Sequence, residues 1–499
     1  MRRGAVVVAL YALLAALVIP VYPHFPSPNE FTRWALVVSV VDFHTIEVSR
    51  AAAILGPQFE DLAVVDGRVY SNKAPGAALI AAPGYLLVRP FIGPPSRENL
   101  RPALTAMRWC AATLPLLLLG FAFRQNAFAA AALLFATPLF AYGLLLFSHA
   151  LVAAALFGAW RLLREWRPSP GLRPPSPRER GEGQARSARV RGATRPILAG
   201  ALIGVAVASE YPMVVPAIVL VAFAPWRSWW KIAAGGAPFA ILLAFYQRAA
   251  FGSVFASPYT YEKLPEYRQL AHTGLFGIHA PSASILFHTL FDPARGLLLF
   301  APILIAGAIA MKDLPKRDRL ALALVPLSIL AIYSGYPNWH GGWNVGPRYV
   351  VSAIPFLIYP LRESRLAALL LGMSAATVVP LTLTFPFPDR ALPFPWATLA
   401  WPLLRHGLVA PNLLHLVAWP LAVVVPFALV AAALVLAGRP ALVAAGVAIA
   451  LLASAVVRPK QPDVRVAYIE AVYFERGGPL LDLPRARRDL TLPPASWPF

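Results

Sequence analysis

Charge is scarce in this chain. Only 13% of its 499 residues are Asp, Glu, Lys or Arg, against roughly 25% in soluble domains. Hydrophobic residues take up the difference, at 58% of the total against about 45–50% in soluble proteins. The mean hydropathy is +0.62. That balance excludes a soluble protein built round one large core and points to a chain that crosses the bilayer repeatedly. Cysteine is nearly absent. Cys110 stands alone, so neither an intrachain disulfide nor a cysteine metal cluster is possible. The nine histidines are scattered without an HExxH pattern, and no Asp-x-Asp pair stands out, so neither a metal nor another cofactor is expected. Acidic residues are the scarcer sign, 23 against 44 basic, for a net charge of +21. In a soluble protein that excess would suggest nucleic acid. Here the basic residues fall in short segments between apolar runs, with no aromatic-interleaved basic domain. They read as cytoplasmic loops, and no nucleic-acid partner is expected.

The apolar runs predict an all-α polytopic membrane protein with about 13 transmembrane helices, several of them shorter than the roughly 20 residues a bilayer needs. After Met1-Arg2-Arg3 a first run reaches Pro20. It opens like a signal peptide, but Val18-Ile19-Pro20-Val21-Tyr22-Pro23 has no small-residue cleavage site, so an uncleaved first helix with a cytoplasmic N-terminus is expected. A polar connection over 23–73 precedes the second run, 75–89. Apolar stretches at 103–122, 127–144 and 146–163 follow. From Arg161 to Arg195, ten arginines face Glu165, Glu179 and Glu182. Positive charge favours the cytoplasm, so two crossings are preferred, with one of the three stretches short or re-entrant. The Pro/Gly/Arg-rich loop 163–195 is expected to be flexible. Further runs alternate to residue 457, with a long outer loop over 250–295. The tail 458–499 is expected outside, with a short strand at 464–470. No strong internal repeat supports an inverted-repeat transporter.

The first outer loop carries the densest chemistry. Ser27, Pro28 and Glu30 fit a capping box for a helix along the membrane surface. Asp42, with His44 close by, reads as a base relay or as a solvated helix end. Asp66-Gly67 between two β-prone runs predicts a tight hairpin, which delivers Lys73 to the start of the helix opening at Pro75. A lysine beside a helix N-terminus is a seat for phosphate. Elsewhere on the same side, His149 follows Ser148 inside an apolar stretch, and Glu210 marks the join of two short runs. A carboxylate in such surroundings is often functional. Arg295 and Arg348 each precede a returning helix and read as charge-assisted donors for the same phosphate, or, for Arg348, as a lock holding a loop to Asp292 or another carboxylate. Trp339, His340, Trp343, Asn344 and Tyr349 gather in one Trp/Gly-rich stretch, suited either to aromatic anchoring at the interface or to stacking on a sugar.

Pro28-Asn29-Glu30, Tyr70-Ser71-Asn72-Lys73-Ala74-Pro75 and the outer Trp/Gly/Arg stretch, in that order along 5–360, resemble the GT-C class of membrane glycosyltransferases that use polyprenyl-phosphate sugars. Bacterial aminoarabinose transferases and protein O-mannosyltransferase-like enzymes look nearest. The resemblance implies a GT-C-like domain over 1–457 with a partly helical first periplasmic loop, in a bacterial cytoplasmic membrane with its site facing outward. It implies an inverting transfer from a polyprenyl-monophosphate sugar to a lipid, glycan or protein. Glu30, or else Asp42, would take the acceptor proton, and Lys73 with Arg295 and Arg348 would hold the donor phosphate. His149, Glu210, Trp339, His340, Trp343, Asn344 and Tyr349 would line the sugar or acceptor cleft. Three positions depart from the pattern: Asn29 replaces the first acid of the familiar Asp-Glu pair, Ala74 stands where proline is common, and His149 stands where many relatives look to have aspartate. The alternative is a transporter or flippase of lipid-linked sugars.

Overall fold

The computed structural model describes residues 2–22, 25–55, 61–165, 182–390, 392–405 and 407–457. The expected tail 458–499 with its strand, and 166–181 of the basic loop, lie outside the described residues. The protein is largely helical. Among the described residues, four helices are long and apolar enough to cross a membrane: Leu100–Ala122, Trp226–Phe251, Arg365–Thr384 and Pro420–Ala437. Six further apolar helices, of 10–17 residues, include Arg3–Val18, Gly76–Ile92 and Arg348–Ile358. Close helix packing rests on small residues. A Cβ built on Gly372 would lie 2.0 Å from the Val443 carbonyl oxygen, and one on Gly446 would lie 2.0 Å from that of Leu369. Those two backbones meet as small-residue membrane interfaces do.

Of the three apolar stretches between 103 and 163, the middle one is short. Its helix Ala127–Phe135 has 9 residues, roughly 14 Å at 1.5 Å per residue, and the chain then breaks at Ala136–Pro138 before His149–Glu165 begins. The basic segment that follows is not loop throughout, because the helix Glu182–Ser209 starts inside it. The apolar run after Arg195 anchors that helix, and the Ala, Gln and Arg residues ahead of it are good helix formers through which it propagates.

The first outer loop packs inward. Ser27 caps the helix Pro28–Asp42, accepting from the Asn29 N–H at 3.3 Å, with Pro28 in the first turn. The reciprocal half of the expected capping box does not form. Glu30 turns the other way, into the bundle, and both it and Arg108 are 0% exposed. Arg108 Nε donates to Glu30 Oε1 at 2.8 Å and Nη2 to Oε2 at 2.7 Å. Arg108 Nη1 also donates to the Pro20 carbonyl, and the Leu146 N–H donates to Glu30 Oε1 at 2.7 Å. A π-helical turn, Trp109–Thr113, immediately follows Arg108 in the helix Leu100–Ala122. Residues Asn29–Ser39 are buried, so this helix is not the surface element the sequence suggested. Arg33 is tolerated inside because Nη1 reaches the Asn29 carbonyl at 2.9 Å and Nη2 the Ser148 hydroxyl at 3.0 Å.

The hairpin forms as expected. Strands β1 (Leu62–Val65) and β2 (Arg68–Ser71) pair antiparallel, with Leu62 opposite Ser71 and Val65 opposite Arg68. Asp66 and Gly67 both take positive φ, +49° and +77°, the requirement of a type I′ turn. The second outer loop adds to its edge, the Lys263 N–H donating to the Leu62 carbonyl at 2.8 Å. Just beyond the hairpin, a Cβ on Gly76 would lie 2.6 Å from the Ala208 carbonyl oxygen. Glycine there brings the start of Gly76–Ile92 against the Ser209–Glu210 join.

Removing one partner of a buried ion pair leaves the other uncompensated, at a cost of about 3–5 kcal/mol. Arg108→Ala and Glu30→Gln should therefore each lower the melting temperature of the detergent-solubilised protein sharply. Arg89→Ala, at a partner that is 30% exposed, should lower it much less. Equal melting temperatures across the three variants would remove Glu30–Arg108 as the organising contact.

Candidate functional site

A polar cleft opens among the loops around the hairpin, with about 1250 Å³ of space that includes its open mouth. Its walls come from the hairpin, the first turn of His149–Glu165, the Glu210 join, the second outer loop and the Gly-rich stretch before Arg348. Of the residues singled out in the sequence, Lys73, His149, Glu210, Trp343, Arg348 and Tyr349 line it. Six others do not: Glu30, Asp42, Arg295, Trp339, His340 and Asn344.

The reasons are local. Both oxygens of Glu30 are taken by Arg108. Asp42, at the far end of its helix, accepts from Tyr85 at 2.7 Å and from Arg89 at 2.6 Å, so no relay with His44 forms. The two residues expected to take an acceptor proton, Glu30 and Asp42, are thus placed away from the cleft lining, each bonded to neighbouring side chains. Arg295 is completely buried and clasps the Gly-rich stretch from behind. Its Nη1 donates to the Asn344 carbonyl at 2.9 Å and to Asn344 Oδ1 at 3.0 Å. The Asn344 amide in turn donates to the Gly341 carbonyl at 2.8 Å. These two residues shape the loop that presents Arg348. Trp339 stacks on His288, ring centroids 5.7 Å apart.

The sequence reading missed Asp61. It lies in the cleft, where Lys73 Nζ is 2.9 Å from its Oδ1 and the Asn29 amide donates to its Oδ2 at 3.1 Å. The signal was in the hairpin register. Leu62 opposite Ser71 sets Asp61 across from Asn72, one residue before Lys73. Burial pushes the Asp61 carboxyl up, but the charges of Lys73 and Arg348 outweigh it and hold the group below the usual carboxylate range. Asn72 also donates to Glu262 of the second outer loop, tying both loops to the lysine.

Arg348 occupies the other side. Its guanidinium lies 4.8 Å over the Tyr349 ring, and Nη2 donates to the Tyr349 hydroxyl at 3.1 Å. Tyr349 is itself stacked on Tyr333, centroids 4.8 Å apart and 9° from parallel. Arg348 Nε is buried with no hydrogen-bond partner, and buried donors are seldom left so. Gly341 leans on this side chain with φ +67°, and a Cβ there would lie 2.8 Å from Arg348 Nε. Lys73 and Arg348 thus offer two cations to one space and suit an anion. Among the described residues no group of three or more His, Cys, Asp or Glu side chains is placed to hold a metal ion.

No protein-family model matches the chain, and no curated protein or solved structure matches it. Fold and site together define a largely helical, membrane-associated protein with a charged cleft among the loops that join its helices.

His340 Nδ1 accepts from the Gly342 N–H at 3.2 Å, which requires an unprotonated nitrogen. Burial, and then Arg390, Arg295 and Arg348, bring its pKa down to about 4. A group depressed on folding contributes stability above its unfolded pKa, about 6.5, and loses that contribution as pH falls toward 4. Protection from hydrogen exchange in 336–346, taken relative to the intrinsic rate at each pH, should therefore fall between pH 6.5 and 4.5, and His340→Gln should flatten the dependence. An unchanged pH profile in that variant would rule His340 out as the cause.

Proposed function

We propose that this protein transfers a sugar from a polyprenyl-monophosphate donor to a hydroxyl of a lipid, glycan or protein acceptor at the outer face of a bacterial cytoplasmic membrane. The observation that carries the reading is the convergence of Lys73 and Arg348 in one cleft with carboxylates on its walls. A phosphate seated between the two cations draws Lys73 from Asp61, which keeps the ammonium in place while the site is empty. As the glycosidic bond to phosphate breaks, negative charge builds on the leaving oxygen and the two cations stabilise it where water is largely excluded. Attack from the opposite face inverts the anomeric centre. Trp343, on the cleft wall, contributes an aromatic contact for the sugar, and Tyr349, stacked on Tyr333, holds Arg348 in place.

The lipid half of the donor has surroundings of its own. An apolar groove of about 2000 Å³ runs between Glu182–Ser209, Tyr211–Ala222 and Trp226–Phe251. One of its lining residues, Ala208, is next but one to Glu210 in the chain. A hydrocarbon tail lying there would leave its phosphate at the cleft. In this reading the apolar helices total about 13 crossings, the shorter ones completed by neighbouring protein, with the cleft on the periplasmic side. Glu30 and Asp42 act in it as scaffold.

Purified protein in lipid nanodiscs, given a panel of polyprenyl-phosphate sugars and a membrane extract as acceptor, should transfer label from one of them. Lys73→Ala and Arg348→Ala should each reduce turnover about 100-fold, the scale for loss of one preorganised charge-stabilising donor. Native turnover in both variants would overturn the assignment of the phosphate. Movement of the intact donor across a bilayer, with no transfer by the native protein, would favour the flippase reading instead.

A further inference from the structure

With Glu30 and Asp42 bound into the scaffold, the transfer still needs a proton acceptor, and one histidine in the cleft has a free nitrogen. His149 is 5% exposed and opens the helix His149–Glu165 on the cleft wall. Its Nε2 is buried without a hydrogen-bond partner. An unpaired buried polar group is costly, so its persistence calls for a reason. The other nitrogen faces a carboxylate, Nδ1 lying 3.8 Å from Glu210 Oε1. Glu210 is fixed in turn, accepting from the Ser148 hydroxyl and lying 3.8 Å from Arg33 Nη2. Tyr142 meets the imidazole edge-on at 5.0 Å and Phe147 lies 5.9 Å away, which restricts rotation of the ring. An imidazole backed by a carboxylate on one nitrogen and unpaired on the other is the arrangement of a general base.

We propose that His149, oriented by Glu210, takes the proton of the acceptor hydroxyl; this rests on the transferase reading above. The hydroxyl proton passes to His149 Nε2 while its oxygen bonds to the anomeric carbon. The bond from that carbon to the donor phosphate breaks, and its electron pair leaves on the phosphate oxygen between Lys73 and Arg348. The imidazolium is stabilised by the Glu210 carboxylate and later returns its proton to water. His149 is thus a catalytic residue and Glu210 a positioning one, both on the lining of the cleft that holds Lys73.

The test uses the full chain in nanodiscs with the same donor panel and extract. His149→Asn should lower turnover about 100-fold, the lower end of what a general base contributes, while affinity for the polyprenyl monophosphate alone stays within about twofold. In His149→Gly, added imidazole should restore at least about tenfold of the lost rate, which a merely structural role would not allow. Turnover of His149→Asn within about threefold of native, a loss that lies wholly in donor affinity, or no imidazole rescue of a His149→Gly protein that still binds polyprenyl monophosphate would each overturn the assignment. If the native protein transfers no sugar from any donor, the transferase reading and this one fall together. If the native protein transfers and His149→Asn does too, only the role of His149 falls.

Discussion

The buried pair of Glu30 and Arg108 is the contact on which the outer half of the molecule depends. Four stretches of chain meet on it: the exit of the first helix at Pro20, the start of Pro28–Asp42, the long helix through Arg108, and the coil at Leu146. Two opposite charges out of water are stable only with good geometry and with their remaining valences filled. Here the bidentate fork, the carbonyl and the amide supply both conditions. From this anchor the Pro28–Asp42 helix lays Arg33 against Ser148, one residue from His149, and points Asn29 at Asp61. A contact well inside the protein thereby sets the spacing of two opposite walls of the cleft.

The other wall is built by the hairpin. Its tight turn fixes the register, and the register decides which residues lie across from one another at its open end. Asp61 and Lys73 are the outcome. The second outer loop then bonds to the hairpin edge through Lys263 and to Asn72 through Glu262. The lysine lies two residues beyond a two-stranded hairpin whose edge is tied to the Lys263 segment, which suits a group that must hold a phosphate at a set position.

Part of this was legible in the sequence. Low charge and long apolar runs gave the membrane character. Asp66-Gly67 gave the hairpin, and the helix start after it gave Lys73. His149, Glu210 and Arg348 stood out because polar groups beside apolar runs are costly. What escaped was pairing at a distance. Glu30 has a sound local reading as a cap, and nothing near it in sequence shows that Arg108, 78 residues away, claims both oxygens. Arg295 and Asn344 looked like ligand contacts because each is polar and close to a helix start. Only the folded chain shows them bonded to one another. The helical start of Glu182–Ser209 was hidden by its Pro/Gly/Arg-rich neighbourhood, since composition over a window does not show where a helix nucleated further along will stop.

The π-helical turn after Arg108 carries a consequence for how this sequence tolerates length changes. Such a turn holds one residue more than the α-helix it interrupts. Deleting a single residue within Trp109–Thr113 would let the helix revert to regular winding with the segments on either side still in phase, whereas a deletion in the regular winding beyond it, within Leu114–Ala122, would rotate everything before it by about 100°. In that second case the guanidinium would swing out of line with Glu30, although no side chain of the pair had been altered. The π-helical turn is thus a place where a change of length can be absorbed, and the regular helix that follows it is not.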